Sequence, residues 1–374
     1  MNKLLQVVVV GFGVILQIAA AQAEPLSIAW TAESEHALIV NDIVAMAPGA
    51  YCLAGADLDT GLAQTHAIIQ KLDSSRGKPA WVTRAPLTER EFFQNRFTSC
   101  TFMGGSIYGL EEVDTQADSN ASQTLIFVTR FDKQGRLTAR KQLILDGKKP
   151  WSVGMVALDE DLYVLLGEQK SSTKTAGGGM RLISLSKSLD IQRAITIPNG
   201  SFFYPSKMLA TAHGIFLVGP FSKNAEEQDA GLASAKLSLN GKYLWAQRFA
   251  YAANKSAFSV NPKTQEIRVS ALLNGELQSQ TVNAAGRLSE VIKVKSTACR
   301  ALGHSSTAVS PQTIALDCDK PPQLINTDQT TGVTTPITKL DQRPIKSFDL
   351  PESTVIVIRS DSDTPEYRFL EIKK

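Results

Sequence analysis

Ile68-Ile69-Gln70-Lys71-Leu72-Asp73-Ser74-Ser75-Arg76-Gly77-Lys78-Pro79-Ala80-Trp81 reads as an apolar run, a polar turn and a short run closed by tryptophan. The pattern returns as Val128-Thr129-Arg130-Phe131-Asp132-Lys133-Gln134-Gly135-Arg136-Leu137. It returns again as Ala235-Lys236-Leu237-Ser238-Leu239-Asn240-Gly241-Lys242-Tyr243-Leu244-Trp245. The period is about 40 to 58 residues, and a period of that size belongs to propellers and other repeat arrays.

Each unit parses into four short segments. The second is the clearest: residues 49–53, 105–110, 161–165, 214–218, 266–270, 313–316 and 354–358. These are strand-length runs rich in β-branched and aromatic residues, opened by turn residues. Third segments follow a polar loop, at 65–72, 124–131, 180–185, 233–237, 277–282, 324–326 and 367–372. Tight turns at Asn240-Gly241, Ala285-Gly286 and Thr331-Gly332 then reverse the chain into a fourth segment. Only 88–97 is allowed as a short helix. The seventh unit stops after its third segment, while Leu26-Ser27-Ile28-Ala29-Trp30 stands alone near the N-terminus and resembles a fourth strand. The reading is all-β: a single seven-bladed β-propeller of four-stranded blades, closed by that N-terminal strand, with six or eight as the alternative counts. Closure removes the free edges that an open array would present.

The first residues are basic, an apolar stretch runs from Leu4 to Ala20, and Ala21-Gln22-Ala23 supplies small residues at a cleavage position. These are the three parts of a secretory leader. An uncleaved anchor is the alternative, although the stretch is at the short limit for a membrane span. The expected division is a signal peptide over 1–23 and one propeller domain over 24–374, with no membrane span once the leader is removed. The expected location is periplasmic or secreted. Removing the single leader Lys from 39 basic residues leaves 38 against 36 acidic ones, which argues against nucleic acid as a partner.

Four cysteines in an exported chain read as two disulfides. Cys52-Cys100 and Cys299-Cys318 are favoured because distant blades of a propeller do not touch. No C-x-x-C occurs, so a zinc knuckle is the weaker reading.

At the level of the repeat, Lys236-Leu237-Ser238 through Gly241 to Leu244-Trp245-Ala246 resembles the bacterial exported β-propellers related to PQQ-binding and quinoprotein-dehydrogenase-like domains. The resemblance covers nearly the whole mature chain and implies the fold. The regular Trp-and-Gly docking motif of that group is not kept. Trp occurs in three fourth strands only (Trp30, Trp81, Trp245) and no Gly follows it at a fixed offset. The quinone is therefore not carried over, and no cofactor is expected.

Two groups gather on the face that carries the interblade loops. One is aromatic: Phe92, Phe93, Trp151, Phe202, Phe203, Tyr204 and Tyr251. Of these, Trp151, Phe203, Tyr204 and Tyr251 are the candidate binding face, the competing role being interblade packing. The other is acidic, placed in loops between second and third strands: Asp57 and Asp59; Glu111, Glu112, Asp114 and Asp118; Glu226, Glu227 and Asp229. Such a rim would suit a cation or a basic partner, and a solvated loop explains the same residues. The histidines His36, His66, His213 and His304 share no offset, and no catalytic or metal motif is present. No catalytic, cofactor-binding or metal residue is assigned. The function expected is a binding or scaffold protein of the envelope, its partner another envelope protein or a small ligand. The alternative is a propeller enzyme, redox or hydrolytic, with a site assembled from several blades over the central channel.

Overall fold

The computed structural model describes residues 28–34, 38–59, 64–73, 78–87, 92–115, 123–144, 148–169, 179–197, 202–222, 231–252, 256–261, 264–306, 311–318, 321–350, 353–359 and 367–373.

After β1 (Ile28–Ser34), blade 1 is β2 (Leu38–Ala47), β3 (Ala50–Asp59), β4 (Gln64–Asp73) and β5 (Lys78–Arg84). Blade 2 is β6 (Gln94–Met103), β7 (Ser106–Asp114), β8 (Thr124–Phe131) and β9 (Leu137–Leu143). Blade 3 is β10 (Lys148–Leu158), β11 (Asp161–Gln169), β12 (Gly179–Leu185) and β13 (Ile191–Ile197). Blade 4 splits its first strand into β14 (Phe202–Phe203) and β15 (Lys207–Thr211), then continues with β16 (Gly214–Ser222), β17 (Gly231–Leu237) and β18 (Tyr243–Ala252). Blade 5 is β19 (Ser256–Asn261), β20 (Glu266–Leu273), β21 (Glu276–Val282) and β22 (Ile292–Lys295). Blade 6 is β23 (Ala298–Ser306), β24 (Pro311–Asp317), β25 (Gln323–Asp328) and β26 (Thr334–Lys339). Blade 7 is β27 (Pro344–Asp349), β28 (Ser353–Arg359) and β29 (Tyr367–Lys373), with β1 as its fourth strand.

The fold is a seven-bladed β-propeller, each blade an antiparallel sheet. The orphan strand closes the ring as expected, from Trp30 opposite Glu371 to Ser34 opposite Tyr367, and it begins at Ile28. First strands of successive blades touch one another: β2 on β6, β6 on β10, β10 on β15, β19 on β23, β23 on β27 and β27 on β2. They therefore surround the axis.

Side chains on a strand alternate between its two faces. In a propeller both faces meet a neighbouring blade, so a second strand reads as an unbroken apolar run. Along β28, Val355 and Val357 pack toward blade 1, while Ile356 and Ile358 pack toward blade 6. Along β3, Leu53 packs toward blade 7, and Cys52 and Ala54 toward blade 2. The core is thus a set of interblade wedges.

The turns between third and fourth strands explain the opening motif. In blade 2, Asp132 Oδ1 accepts from the amides of Gln134 and Arg136; in blade 5, Asn283 Oδ1 accepts from those of Ala285 and Arg287. Both turns end on a left-handed glycine, Gly135 at φ 81° and Gly286 at φ 80°. Onto each lies the Trp of the preceding blade. Trp81 Nε1 donates to Lys133 O at 3.1 Å, and Trp245 Nε1 to Ala284 O at 3.2 Å. A Cβ on Gly286 would stand 2.6 Å from the Trp245 ring, whereas one on Gly275 (φ 77°) would meet nothing within 4 Å. Gly286→Ala is expected to cost about 2 to 4 kcal/mol, combining left-handed strain with overpacking. Gly275→Ala should cost only the strain, about 1 to 2 kcal/mol. Urea midpoints compared between the two variants check the difference, and equal shifts would refute the clasp.

Both favoured cysteine pairings are present. Cys52 and Cys100 join blade 1 to blade 2 with Cα atoms 6.4 Å apart and are wholly buried. Cys299 and Cys318, 5.6 Å apart at Cα, lie within blade 6, and Cys299 is exposed. Mild reductant with alkylation should label Cys299 and Cys318 in the native protein, and Cys52 and Cys100 only on unfolding. Peptide mass spectrometry reads the order, and simultaneous labelling of all four would contradict it.

Two local expectations are corrected. Gln94–Phe97, allowed as helix, belong to β6, where Gln94, Asn95, Arg96 and Phe97 pair with Asp114, Val113, Glu112 and Glu111. Those ladder bonds override a weak local helical preference. Asp57, Glu111, Glu112 and Asp114, expected in loops, are strand residues: Asp57 of β3 pairs with His66, and Glu111, Glu112 and Asp114 of β7 pair with Phe97, Arg96 and Gln94.

Candidate functional site

First strands line the axis, so side chains on first strands of blades that are not neighbours can meet there. Three charged residues do so: Asp42 on β2, Lys207 on β15 and Lys346 on β27, from blades 1, 4 and 7. Asp42 Oδ2 accepts from Ser99 Oγ at 2.7 Å and from the Cys100 amide at 3.2 Å. Lys346 Nζ donates to the carbonyls of Val40 at 2.9 Å and Asn41 at 3.3 Å. Its ammonium also lies 5.3 Å from the Phe348 ring centroid.

Lys207 is different. Its Nζ stands 5.3 Å from the Phe258 ring centroid and 5.4 Å from that of Phe348. Among the described residues it makes no hydrogen bond or ion pair. Blade 4 thus sends an ammonium across the axis onto the aromatic faces of blades 5 and 7. Burial raises the Asp42 pKa, opposed by the Ser99 hydrogen bond, the Lys207 charge, the Cys100 amide and the Lys346 charge. Burial lowers that of Lys346, and Lys207 lowers it further while Asp42 opposes. This trio holds two cations and one carboxylate.

A second constellation joins blades 5, 6 and 7. Ser270 Oγ lies 2.9 Å from His304 Nε2, and His304 Nδ1 lies 3.8 Å from Asp349 Oδ2. The order Ser–His–Asp invites a nucleophilic reading. Ser270, however, is 0% exposed and also meets Ser279 Oγ at 2.9 Å and Thr313 Oγ1 at 3.3 Å. No substrate reaches it in this state. The apolar clusters between blades 5 and 6 are small, and this polar network fills the rest of the wedge.

Solved structures share this architecture. The β-propeller domain of the trilobed protease from Pyrococcus furiosus, which has an open velcro topology, matches 90% of this chain and 95% of its own, with TM-score 0.50 at 10% identity. The Dos1 propeller matches 92% of this chain and 95% of its own, with TM-score 0.53 at 8% identity. An acylaminoacyl peptidase in complex with Z-Gly-Gly-Phe-chloromethyl ketone matches 89% of this chain, with TM-score 0.50 at 8% identity, and this chain spans only 51% of it. At such identities the likeness is one of fold. No family model matches the sequence. No curated protein matches it either.

In this propeller the acidic residues foreseen as a rim are largely neutralised. Asp57 pairs with Arg84. Glu111 accepts from Arg140 through both oxygens at 3.0 Å, and from Asn95 at 2.7 Å and Thr129 at 3.1 Å. Glu112 accepts from Arg96 Nε at 2.9 Å and from the Ser152 amide and hydroxyl at 2.7 Å each. Asp114 accepts from Gln94 and Thr124, each at 2.9 Å. Asp118, Glu226, Glu227 and Asp229, and the side chain of Asp59, lie outside the described residues.

Of the aromatic group, Trp151 and Tyr204 come together with ring centroids 6.1 Å apart. Trp151 covers Gly167, where a Cβ would stand 2.0 Å from the indole. Tyr204 is 37% exposed and Phe203 is buried. The side chain of Tyr251 lies outside the described residues. The axial trio escaped sequence reasoning. Its signal was a charge set inside an apolar run, as in Leu38-Ile39-Val40-Asn41-Asp42-Ile43-Val44 and Pro344-Ile345-Lys346-Ser347-Phe348.

Proposed function

We propose that this chain is an exported binding protein of the bacterial envelope whose ligand surface is the axial channel. Lys207 carries the reading. A partly buried ammonium held on two phenyl rings, with no acceptor among the described residues, is a preformed recognition group. Cation–π contact is worth about 0.5 to 2 kcal/mol and leaves the donors of the ammonium unused. Binding sites combine apolar walls with a few placed polar groups, and the axis offers both. The leader-like residues 1–23 and the two cysteine pairs support export.

Protein isolated from its own cell envelope and sprayed under native conditions should carry a non-covalent adduct. Lys207→Met should lose the adduct without loss of fold. Bare mass in every wild-type preparation would contradict a binding role.

A further inference from the structure

Two ammonium groups meet at one phenyl ring. Lys207 Nζ and Lys346 Nζ each lie within 5.4 Å of the Phe348 centroid, and Phe348 is buried. They come from blades 4 and 7, so the closed ring brings like charges together. Such a pair is costly away from bulk water unless negative charge lies close by. Among the described residues, the charged groups that act on Lys346 are Lys207 and Asp42, and only Asp42 is negative. No hydrogen bond or ion pair joins Asp42 to either ammonium group. Its Oδ2 is held instead by the Ser99 hydroxyl and the Cys100 amide.

The hydrogen-bond balance has the same sign as the charge balance. An ammonium group carries three donors and no acceptor. Lys346 gives two of them to the carbonyls of Val40 and Asn41 and keeps one. Lys207 keeps all three among the described residues. A cationic ligand would meet two like charges here, and a neutral apolar one would desolvate donors without pairing them. We infer that the axis takes its ligand by an anionic oxygen group, a carboxylate or a phosphate, seated on Lys207 with Lys346 as the second positive charge. This rests on the axis being the binding surface. The faces of Phe258 and Phe348 attract the ammonium group of Lys207 and repel an anion. The anion therefore meets Nζ on the side away from both rings. Asp42, the negative member of the trio, opposes it, so removing that charge tightens binding.

Calorimetry on the purified protein at low ionic strength, with succinate, inorganic phosphate and tetramethylammonium as probes, tests the assignment. Succinate or phosphate should bind one per chain, the one that binds more tightly naming the group, and tetramethylammonium should not bind at the axis. Lys207→Met should weaken the anion at least tenfold, while Lys207→Arg, which keeps the charge, holds it within fivefold. Asp42→Asn should tighten it at least threefold, a gain that loss of packing would not produce. Thermal melts verify that the variants fold, and the wild-type probe series stands without them. Binding of tetramethylammonium as tight as that of the anions would overturn the inference. Anion affinity unchanged in folded Lys207→Met, or reduced in folded Asp42→Asn, would overturn it too. Wild type that binds neither anion, yet carries an adduct when isolated from cells, would overturn the anion alone and leave the binding role standing.

Discussion

Deleting residues 28–34 is expected to abolish cooperative unfolding and to drive the chain into oligomers. β1 is the only strand of blade 7 contributed from the other end of the chain, and its ladder on β29 joins the two ends of the ring. It also touches β5 of blade 1. Without it, β29 becomes a free edge whose N–H and C=O groups template pairing with another chain. At about 0.5 to 1.5 kcal/mol net per lost hydrogen bond, the ladder alone amounts to several kcal/mol. That is a large share of an ordinary domain's stability. Blade 7 also braces blade 1, where Tyr51 donates to Glu371 at 2.6 Å. Size-exclusion chromatography and urea unfolding check the result, and a synthetic peptide of the strand sequence added in trans should restore a monomer. A truncated chain that stays monomeric with an unchanged midpoint would show that the closure carries no load.

The second large effect is expected at Arg140. Its guanidinium grips both oxygens of Glu111, which is 0% exposed, and lies 4.1 Å from the Phe127 ring centroid and 5.7 Å from that of Phe92. Arg140→Met leaves a buried carboxylate facing only Asn95 and Thr129. Removing one partner of such a pair typically costs about 3 to 5 kcal/mol, because the remaining charge is uncompensated. Adding Glu111→Gln to the same chain should recover most of that loss, since the neutral amide carries no charge to desolvate. Guanidinium unfolding of the two singles and the double closes the cycle. A single variant within 1 kcal/mol of wild type, or losses that simply add, would refute the coupling.

The second strands were legible because a strand buried on both faces shows an unbroken apolar run, and β28 and β3 have this form. The turn glycines marked where third strands end, and the orphan run near Trp30 exposed the closure. Glu111 and Glu112 were placed in a loop because two acids in succession look solvated. What buries them is Arg140 and Arg96, each on another strand, which no local window joins. The Trp–Gly clasp was hidden because Trp81 and Trp245 rest on glycines of the following blade, and blades differ in length. The axial site was invisible for a simpler reason. Asp42, Lys207 and Lys346 lie in three separate blades, and only the closed ring brings them to one place.

A crystal structure of the protein purified from its own cell envelope gives the most direct measurement of the binding channel. Ordered ligand density at the axis, within hydrogen-bond reach of Lys207 Nζ, is the predicted result. Ordered ligand seated only on the outer faces of the blades, with the channel filled by water, would contradict it.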